Sequence, residues 1–434
     1  MRAQSVLYIS LFLVCFHNIC FSQQPQKALE NYIAAKDTAY KWQTENVLTS
    51  EDGRFYEVSL VSQRWQEINW THRLIIYFPR KAKYSNTLLL VLRHIYNRNA
   101  GLASLKVISD STGTPAAFLY DVPNQPLFDG KEEDDLQAYT FSQYIRSGDE
   151  SWPLLFPMVK SVVSAMNVIR DLAVKEEKLP VSKFIVAGHS KRGHTSWLAA
   201  AVDSRIKGII PIAIDVLNAP EQLPHHLKAF GQFSTPSKEA TEFLKELKKP
   251  LGNSLIQMID PYSYKEGLMI QKLIVSATND EYFPSDALNL YWDGLKGRKS
   301  ILYLSNAGHV RADSDPRVNP TAFAFVRAIA MDNTLPQFSW EWKRSKQSLQ
   351  LTINTDTTAT KAVLWQATSH NNDFRTSQWS ALPIKQADKG YTRQFVIDVE
   401  KLSDVNRLFY GEIEFEQDGH RFLLSTQIYR YSSK

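Results

Sequence analysis

Gly188-His189-Ser190-Lys191-Arg192-Gly193 stands between two stretches that want different structures. Residues 184–187, Phe-Ile-Val-Ala, form a short apolar run with β-branched members, as a strand buried on both faces requires. Residues 195–202, Thr-Ser-Trp-Leu-Ala-Ala-Ala-Val, suit a buried helix. A strand that turns at once into a helix through a serine flanked by glycines is the setting of a nucleophile elbow. Such a turn strains the serine backbone and presents its Oγ at the carboxyl end of the sheet. The usual spacing is Gly-x-Ser-x-Gly; here the second glycine falls one place later, at Gly193, with Arg192 before it. The bland alternative is a polar loop ahead of an amphipathic helix.

An acyl-transfer serine needs a base, a carboxylate to orient that base, and donors for the oxyanion. On an elbow-bearing sheet these partners follow in the order serine, acid, histidine, each after a strand. Residues 272–278 read as a strand followed by Asn279-Asp280-Glu281, and residues 300–304 as a strand followed by Ser305-Asn306-Ala307-Gly308-His309. Asp280 is the candidate acid nearest its strand, with Glu281 beside it and Asp215, after an apolar strand over 206–214, as rivals. Asp280 could instead cap a helix expected over 284–295. His309 is the candidate base, in a loop that Gly308 keeps pliant. His189 and His194 read as packing residues. His225 and His226 are adjacent, so on a helix they point about 100° apart, and no further ligand stands at a recognisable spacing. Neither metal nor cofactor is expected.

Strand-like runs over 55–62, 71–78, 87–92 and 116–122 precede the elbow, among expected helices over 27–40, 100–109, 136–145 and 154–179. After it, Lys- and Glu-rich helical segments within about 217–257 suggest a cap, and a helix is expected over 321–331. Alternating strands and helices predict an α/β, doubly wound, mostly parallel sheet over residues 23–334. From residue 335 helical patterns vanish and short alternating strands take over, so 335–434 reads as a separate β-sandwich of immunoglobulin type. Its removal is expected to leave the catalytic sheet complete.

Pro123-Asn124-Gln125-Pro126 opens an expected loop carrying Glu132, Glu133, Asp134 and Asp135, which could be a solvated face or could line the cleft. Such segments run over the carboxyl end of a sheet, where ligands bind. Glu133, Asp134 and Trp152 on one side, with His226 from residues 217–231 on the other, are therefore candidate substrate contacts. Carboxylates beside aromatics predict a narrow polar cleft that favours small acyl groups on a polar scaffold over lipids.

Across 434 residues, 44% hydrophobic and 22% charged, the composition is that of a globular chain, and a net charge of +5 without a dense basic block argues against nucleic acid as a partner. Residues 1–22 carry Arg2, an apolar run and the small-residue ending Cys20-Phe21-Ser22, the pattern of a secretory signal peptide. Export, to the periplasm or beyond, is expected. Both cysteines, Cys15 and Cys20, fall inside that segment, so the mature chain would rely on packing without disulfides. No later segment is apolar enough to span a bilayer.

Motifs in fixed order over nearly the whole mature chain resemble the PhoPQ-activated pathogenicity-related family of exported α/β-hydrolase-like proteins. They are Trp65-x4-Trp70-x-His72, the run Val-Pro-Asn-Gln-Pro-Leu at 122–127, Trp152-Pro153, Pro157-Met158, the elbow, Asp215-Val216-Leu217-Asn218, Asp260-Pro261-Tyr262, Ala277-Thr278-Asn279-Asp280-Glu281 and Asp373-Phe374-Arg375. An elbow of the form Gly-x-Ser-x-Arg-Gly also occurs in carbohydrate esterases of this general type. The resemblance implies an α/β-hydrolase fold and a triad of Ser190, Asp280 and His309. It also implies oxyanion amides from Lys191 and from the loop after 87–92. In the family that loop is glycine-rich, whereas here it reads Arg93-His94-Ile95-Tyr96-Asn97, which makes His94 the candidate donor.

The expected function is an exported serine hydrolase acting on an ester or amide. A secreted binding or signalling protein that keeps the scaffold without turnover is the rival from another class, and a serine peptidase fits the same triad.

Overall fold

A computed structural model describes residues 25–232, 238–345, 348–387, 393–400 and 405–432. The segment read as a signal peptide, with both cysteines, lies outside the described residues. Among them the main sheet is built from β1 (Lys41–Thr49), β2 (Gly53–Trp65), β3 (Ile68–Pro79), β4 (Thr87–Leu92), β5 (Ala116–Leu119), β6 (Lys183–His189), β7 (Ile206–Ile212), β8 (Gln271–Ala277) and β9 (Lys299–Leu304). Their order is β1-β2-β3-β5-β4-β6-β7-β8-β9. The first three strands and the β3–β5 pair are antiparallel, and every pairing from β5 to β9 is parallel. This is the α/β-hydrolase arrangement. The chain reverses its direction of travel across the sheet at β4, whose neighbours are β5 and β6, and ligands bind outside the strand ends at such a switch point. Leu92 at the end of β4 pairs with Gly188 at the end of β6, so the His94 loop leaves the sheet beside the elbow.

The central strands are continuous apolar runs because helices cover both faces. Leu88, Leu90 and Leu92 of β4 and Phe184, Ile185 and Val186 of β6 are all buried. The helices are α1 (Pro25–Ala34), α2 (Arg98–Thr112), α3 (Glu133–Ser147), α4 (Leu155–Leu172), α5 (Lys191–Val202), α6 (Ala219–Phe230), α7 (Lys238–Glu246), α8 (Pro250–Ile259) and α9 (Val318–Ala330). Trp197 on α5 is fully buried, which stabilises by roughly 1.5–3 kcal/mol for a large apolar side chain. Helices α6 to α8 lie between β7 and β8 in the chain and form the cap.

The strands after α9 are β10 (Ser339–Arg344), β11 (Ser348–Thr355), β12 (Ala359–Ser369), β13 (Ser380–Pro383), β14 (Lys385–Gln386), β15 (Arg393–Glu400), β16 (Asn406–Gln417), β17 (His420–Ser425) and β18 (Tyr429–Tyr431). They make two antiparallel sheets, β10-β11-β15-β14 and β13-β12-β16-β17 with β18 on β16. Leu349, Leu351 and Ile353 alternate inward on β11 and share one apolar cluster with Leu364 and Phe409 of the other sheet. That same cluster takes in Leu273 of β8, Leu302 of β9 and Phe325 of α9, so apolar packing does not stop at residue 335.

Several expected elements differ. The first helix ends at Ala34 instead of reaching Tyr40, because Asp37 Oδ1 accepts the Ala39 N–H at 2.9 Å and closes a turn. The expected acidic loop is in part helix: Glu133, Asp134 and Asp135 form the first turn of α3, where negative charge complements the helix dipole. The helix expected over 284–295 shrinks to a single 3-10 turn, Ala287–Leu290. There Asp286 is held by His225 and Arg430, and Asn289 donates to Ile428 O, so tertiary polar contacts have replaced helical ones. Strand β1 carries no strand signal in the sequence, because its mostly exposed residues form no apolar run.

Candidate active site

Ser190 sits between β6 and α5 with φ 55° and ψ −129°, a region that costs a non-glycine residue about 1–3 kcal/mol. The surroundings impose it. Ser190 N–H donates to Ile212 O at 2.8 Å, and its carbonyl accepts the His194 N–H at 3.0 Å. A Cβ on Gly188 would meet the Arg192 carbonyl carbon and oxygen at 2.5 Å, and one on Gly193 would lie 2.8 Å from Gly188 O. Gly188 and the late second glycine together let strand and helix touch.

His309 follows β9 and opens a 3-10 turn. Its Nε2 lies 3.0 Å from Ser190 Oγ and its Nδ1 lies 2.8 Å from Asp280 Oδ2. Asp280 follows β8; its other oxygen accepts the N–H groups of Tyr282 and Phe283 at 2.7 and 3.1 Å, which leaves Oδ2 aimed at the ring. The two side chains are almost fully buried. A carboxylate acceptor on Nδ1 fixes that nitrogen as the N–H and leaves Nε2 able to take the serine proton. The Tyr282 ring packs across the imidazole with centroids 4.6 Å apart.

The rival acids have other partners. Asp215 accepts Ser276 Oγ at 2.8 Å and Tyr291 OH at 2.5 Å, and burial pushes its carboxyl up to about 6. Glu281 accepts the His309 backbone N–H at 2.7 Å. Of the histidines read as packing, His189 has its Nε2 2.8 Å from His309 O, and burial first, then His309 itself, holds its imidazole below the usual range. His194 is buried, donates to Ile259 O at 2.6 Å and is pushed down to about 4 by burial. It thereby ties α5 to the end of α8.

Lys191 and Arg192 turn their cations onto α3. Glu133 binds Lys191 Nζ and, at 2.6 Å, Arg192; Asp134 lies 2.9 Å from Lys191 Nζ. Gln125 completes the knot, donating to Glu133 Oε1 at 2.7 Å and accepting the Glu133 N–H at 2.9 Å. Burial alone would raise the Glu133 carboxyl, but Lys191 and Arg192 outweigh it and hold it well below the usual carboxylate range. Sequence reasoning missed Gln125, although it lies within the 122–127 motif.

Ser190, His309, His94, Lys191, Glu133, Asp134 and His226 all line one cavity of about 750 Å3. The Lys191 N–H belongs to the first helical turn, which has no intrahelical acceptor and is free for an oxyanion. Trp152 is a correction: it does not reach the cavity, because its ring packs against Trp65, Phe128 and Tyr139 at centroid distances of 5.5–6.2 Å. The expected polar cleft is a second correction. Glu133 and Asp134 are spent on Lys191 and Arg192, and the cap contributes Leu223, Phe243, Leu244, Leu247 and Ile256, so most of the wall is apolar. His226 stacks edge-on against Phe230 and is pushed down to about 4 by burial, then Arg375 and His225. Its neighbour His225 lies 2.9 Å from Asp286, which accounts for that half of the histidine pair. Among the described residues no helix is long and apolar enough to cross a membrane.

The sequence profile of the PhoPQ-activated pathogenicity-related protein family matches residues 29–375, from α1 through the elbow and the loops of Asp280 and His309 into the C-terminal strands. The chain belongs to this family. It is also 29% identical over 333 residues to autocrine proliferation repressor protein A of Dictyostelium discoideum, covering 72% of this chain and 67% of that protein. Similar solved structures include acetyl xylan esterase 1 from Thermoanaerobacterium sp., at 12% identity and a TM-score of 0.44 over 66% of this chain and 88% of that one. Another is the S-formylglutathione hydrolase of Agrobacterium tumefaciens, at 13% identity and a TM-score of 0.41 over 67% and 96%.

Proposed function

We propose that this PhoPQ-activated pathogenicity-related family member is an exported serine hydrolase that cleaves an ester or amide through Ser190, His309 and Asp280. The observation that carries the reading is the unbroken relay from Ser190 Oγ through the His309 ring to Asp280, opening on a cavity. Ser190 Oγ attacks the substrate carbonyl while its proton passes to His309 Nε2; the carbonyl oxygen becomes an oxyanion facing the N–H groups of Lys191 and His94. The tetrahedral adduct collapses, the bond to the leaving group breaks, and that group takes the proton from Nε2. Water then attacks the acyl carbon while its proton passes to His309 Nε2; the acyl–Oγ bond breaks, the acid departs, and Ser190 Oγ takes the proton back from Nε2. Asp280 keeps the ring in the Nδ1–H tautomer and stabilises the imidazolium.

A second reading is favoured by the relative named for repression of proliferation: a secreted signalling protein that uses the scaffold without turnover. One experiment separates the two. Purified protein should be labelled by a fluorophosphonate probe, and Ser190→Ala should abolish labelling without changing the melting temperature. Wild-type protein that stays unlabelled would favour signalling. Export is tested separately, by sequencing the amino terminus of protein recovered outside the cytoplasm, where Gln23 is expected first.

A further inference from the structure

The 750 Å3 cavity falls within the range of roughly 300–1,000 Å3 that buries most of a small ligand. Much of its wall is cap: Leu223 on α6, Phe243 and Leu244 on α7, Leu247, and Ile256 on α8, faced by Phe141 of α3. Several of the charged groups along it already have partners. Glu133 and Asp134 neutralise Lys191 and Arg192. Asp260 accepts the N–H groups of Asn218, Ala219 and Tyr262 at 3.2, 2.8 and 2.8 Å. Arg192 Nε and Gln137 Oε1 lack partners, but both atoms are buried. A polar group pushed against the cap wall of this chamber would lose its water and meet mostly apolar side chains. An apolar one would gain roughly 25 cal/mol for each Å2 removed from water.

We infer that the cap chamber receives the acyl part of the substrate and that this part is a hydrocarbon chain of medium length. The inference rests on Ser190 being the nucleophile. The leaving group must take its proton from His309 Nε2 and so lies on the His309 side of the scissile carbon. There Val310 and Ile95 rim the cavity at 78% and 75% exposure, so that side is open to solvent. The acyl group, which stays on Ser190 after the leaving group departs, is left with the enclosed side. The rim also carries Asp313 3.7 Å from Arg93, a half-exposed pair that suits a hydrated, polar alcohol or amine as the departing half.

The test is a nitrophenyl ester series from acetate to dodecanoate on the full mature chain, with fluorophosphonate labelling as the control for the nucleophile. Expected is a rise in kcat/KM of at least tenfold from acetate to a maximum between hexanoate and decanoate. A steady fall from acetate in protein that labels normally would overturn the chamber assignment and leave the hydrolase reading intact. Leu223→Trp and, separately, Leu244→Trp should lower the octanoate-to-acetate ratio at least tenfold; an unchanged ratio in both would place the chain elsewhere. Should nothing label, the nucleophile reading fails, and calorimetry still decides the chamber. Octanoate binding to Ser190→Ala with a negative heat-capacity change supports it, and no binding above that of acetate overturns it.

Discussion

The backbone N–H of His309 donates to Glu281 Oε2 at 2.7 Å, while the ring of the same histidine is held by Asp280, one residue earlier in the chain. Two consecutive carboxylates thus share the placement of one histidine, the first aligning the imidazole and the second fixing the peptide that carries it. The His309 carbonyl is held as well, by His189 Nε2 at 2.8 Å. Gly308 follows from the same contact, since a Cβ there would come 2.7 Å from Glu281 Oε1. The glycine makes room for a carboxylate, and loop freedom is the lesser part of its role.

Glu281 is therefore expected to act as a positioning residue. Glu281→Ala should lower kcat about fivefold to tenfold, the scale of one net hydrogen bond, with KM little changed. Glu281→Gln keeps an acceptor oxygen and should restore most of the loss. Equal kcat in wild type and Glu281→Ala would remove the assignment.

Asp280→Asn presents an amide where Nδ1–H needs an acceptor, or forces the other tautomer, and should cut kcat on the order of ten-thousandfold. Asp215→Asn should leave fluorophosphonate labelling close to the wild-type rate, because Asp215 faces Ser276 and Tyr291. Slow labelling in Asp215→Asn with normal labelling in Asp280→Asn would exchange their roles.

The sheet and the elbow were legible because they rest on local pattern: apolar runs in β4 and β6, small residues around Ser190, and a polar residue just past each of β8 and β9. The order of partners along the chain then pointed to Asp280 and His309. What a sequence does not carry is which way a side chain is already spoken for. Glu133 and Asp134 read as ligand contacts, yet Lys191 and Arg192, close to sixty residues later, consume their charge. Trp152 read as a cleft aromatic, yet three other rings surround it. The cap was legible as helical, but its apolar inner face was masked by the Lys and Glu residues of its outer one.

Buried histidines should weaken the fold as pH falls. His194 is pushed down to about 4, against about 6.5 in an unfolded chain. As pH falls between these values the unfolded chain takes up a proton that the folded one refuses, so the contribution of His194 to stability is present above 6.5 and lost towards 4. One such group is worth about 3 kcal/mol over that span. Urea unfolding of wild type and His194→Asn should therefore show a stability gap that narrows as pH drops from 7 to 4.5. Asp215 works in the opposite direction in both proteins and cancels from the difference. A gap that does not change with pH would mean that His194 is protonated in the fold.

Removing the C-terminal strands tests how far they serve the site. Asn279, immediately before Asp280, donates to Arg375 O at 3.0 Å and Ser377 O at 2.8 Å. Asn306, in the loop that carries His309, exchanges two hydrogen bonds with the Trp379 backbone at 2.8 and 3.0 Å. Asp286, almost fully buried, is paired with Arg430 at 2.6 Å as well as with His225. The loops that carry Asp280 and His309 thus lean on residues beyond 335, and the apolar cluster under β8 and β9 continues into β11 and β16. A chain ending at residue 334 keeps every strand of the main sheet, yet it should aggregate or lose fluorophosphonate labelling, against the independence that the change of pattern at 335 suggests. Arg430→Ala makes the milder test. It leaves the buried Asp286 carboxylate with His225 alone and should cost towards the lower end of about 3–5 kcal/mol. Full solubility and labelling of the shortened chain would show that the two antiparallel sheets only rest against the main sheet and do not brace it.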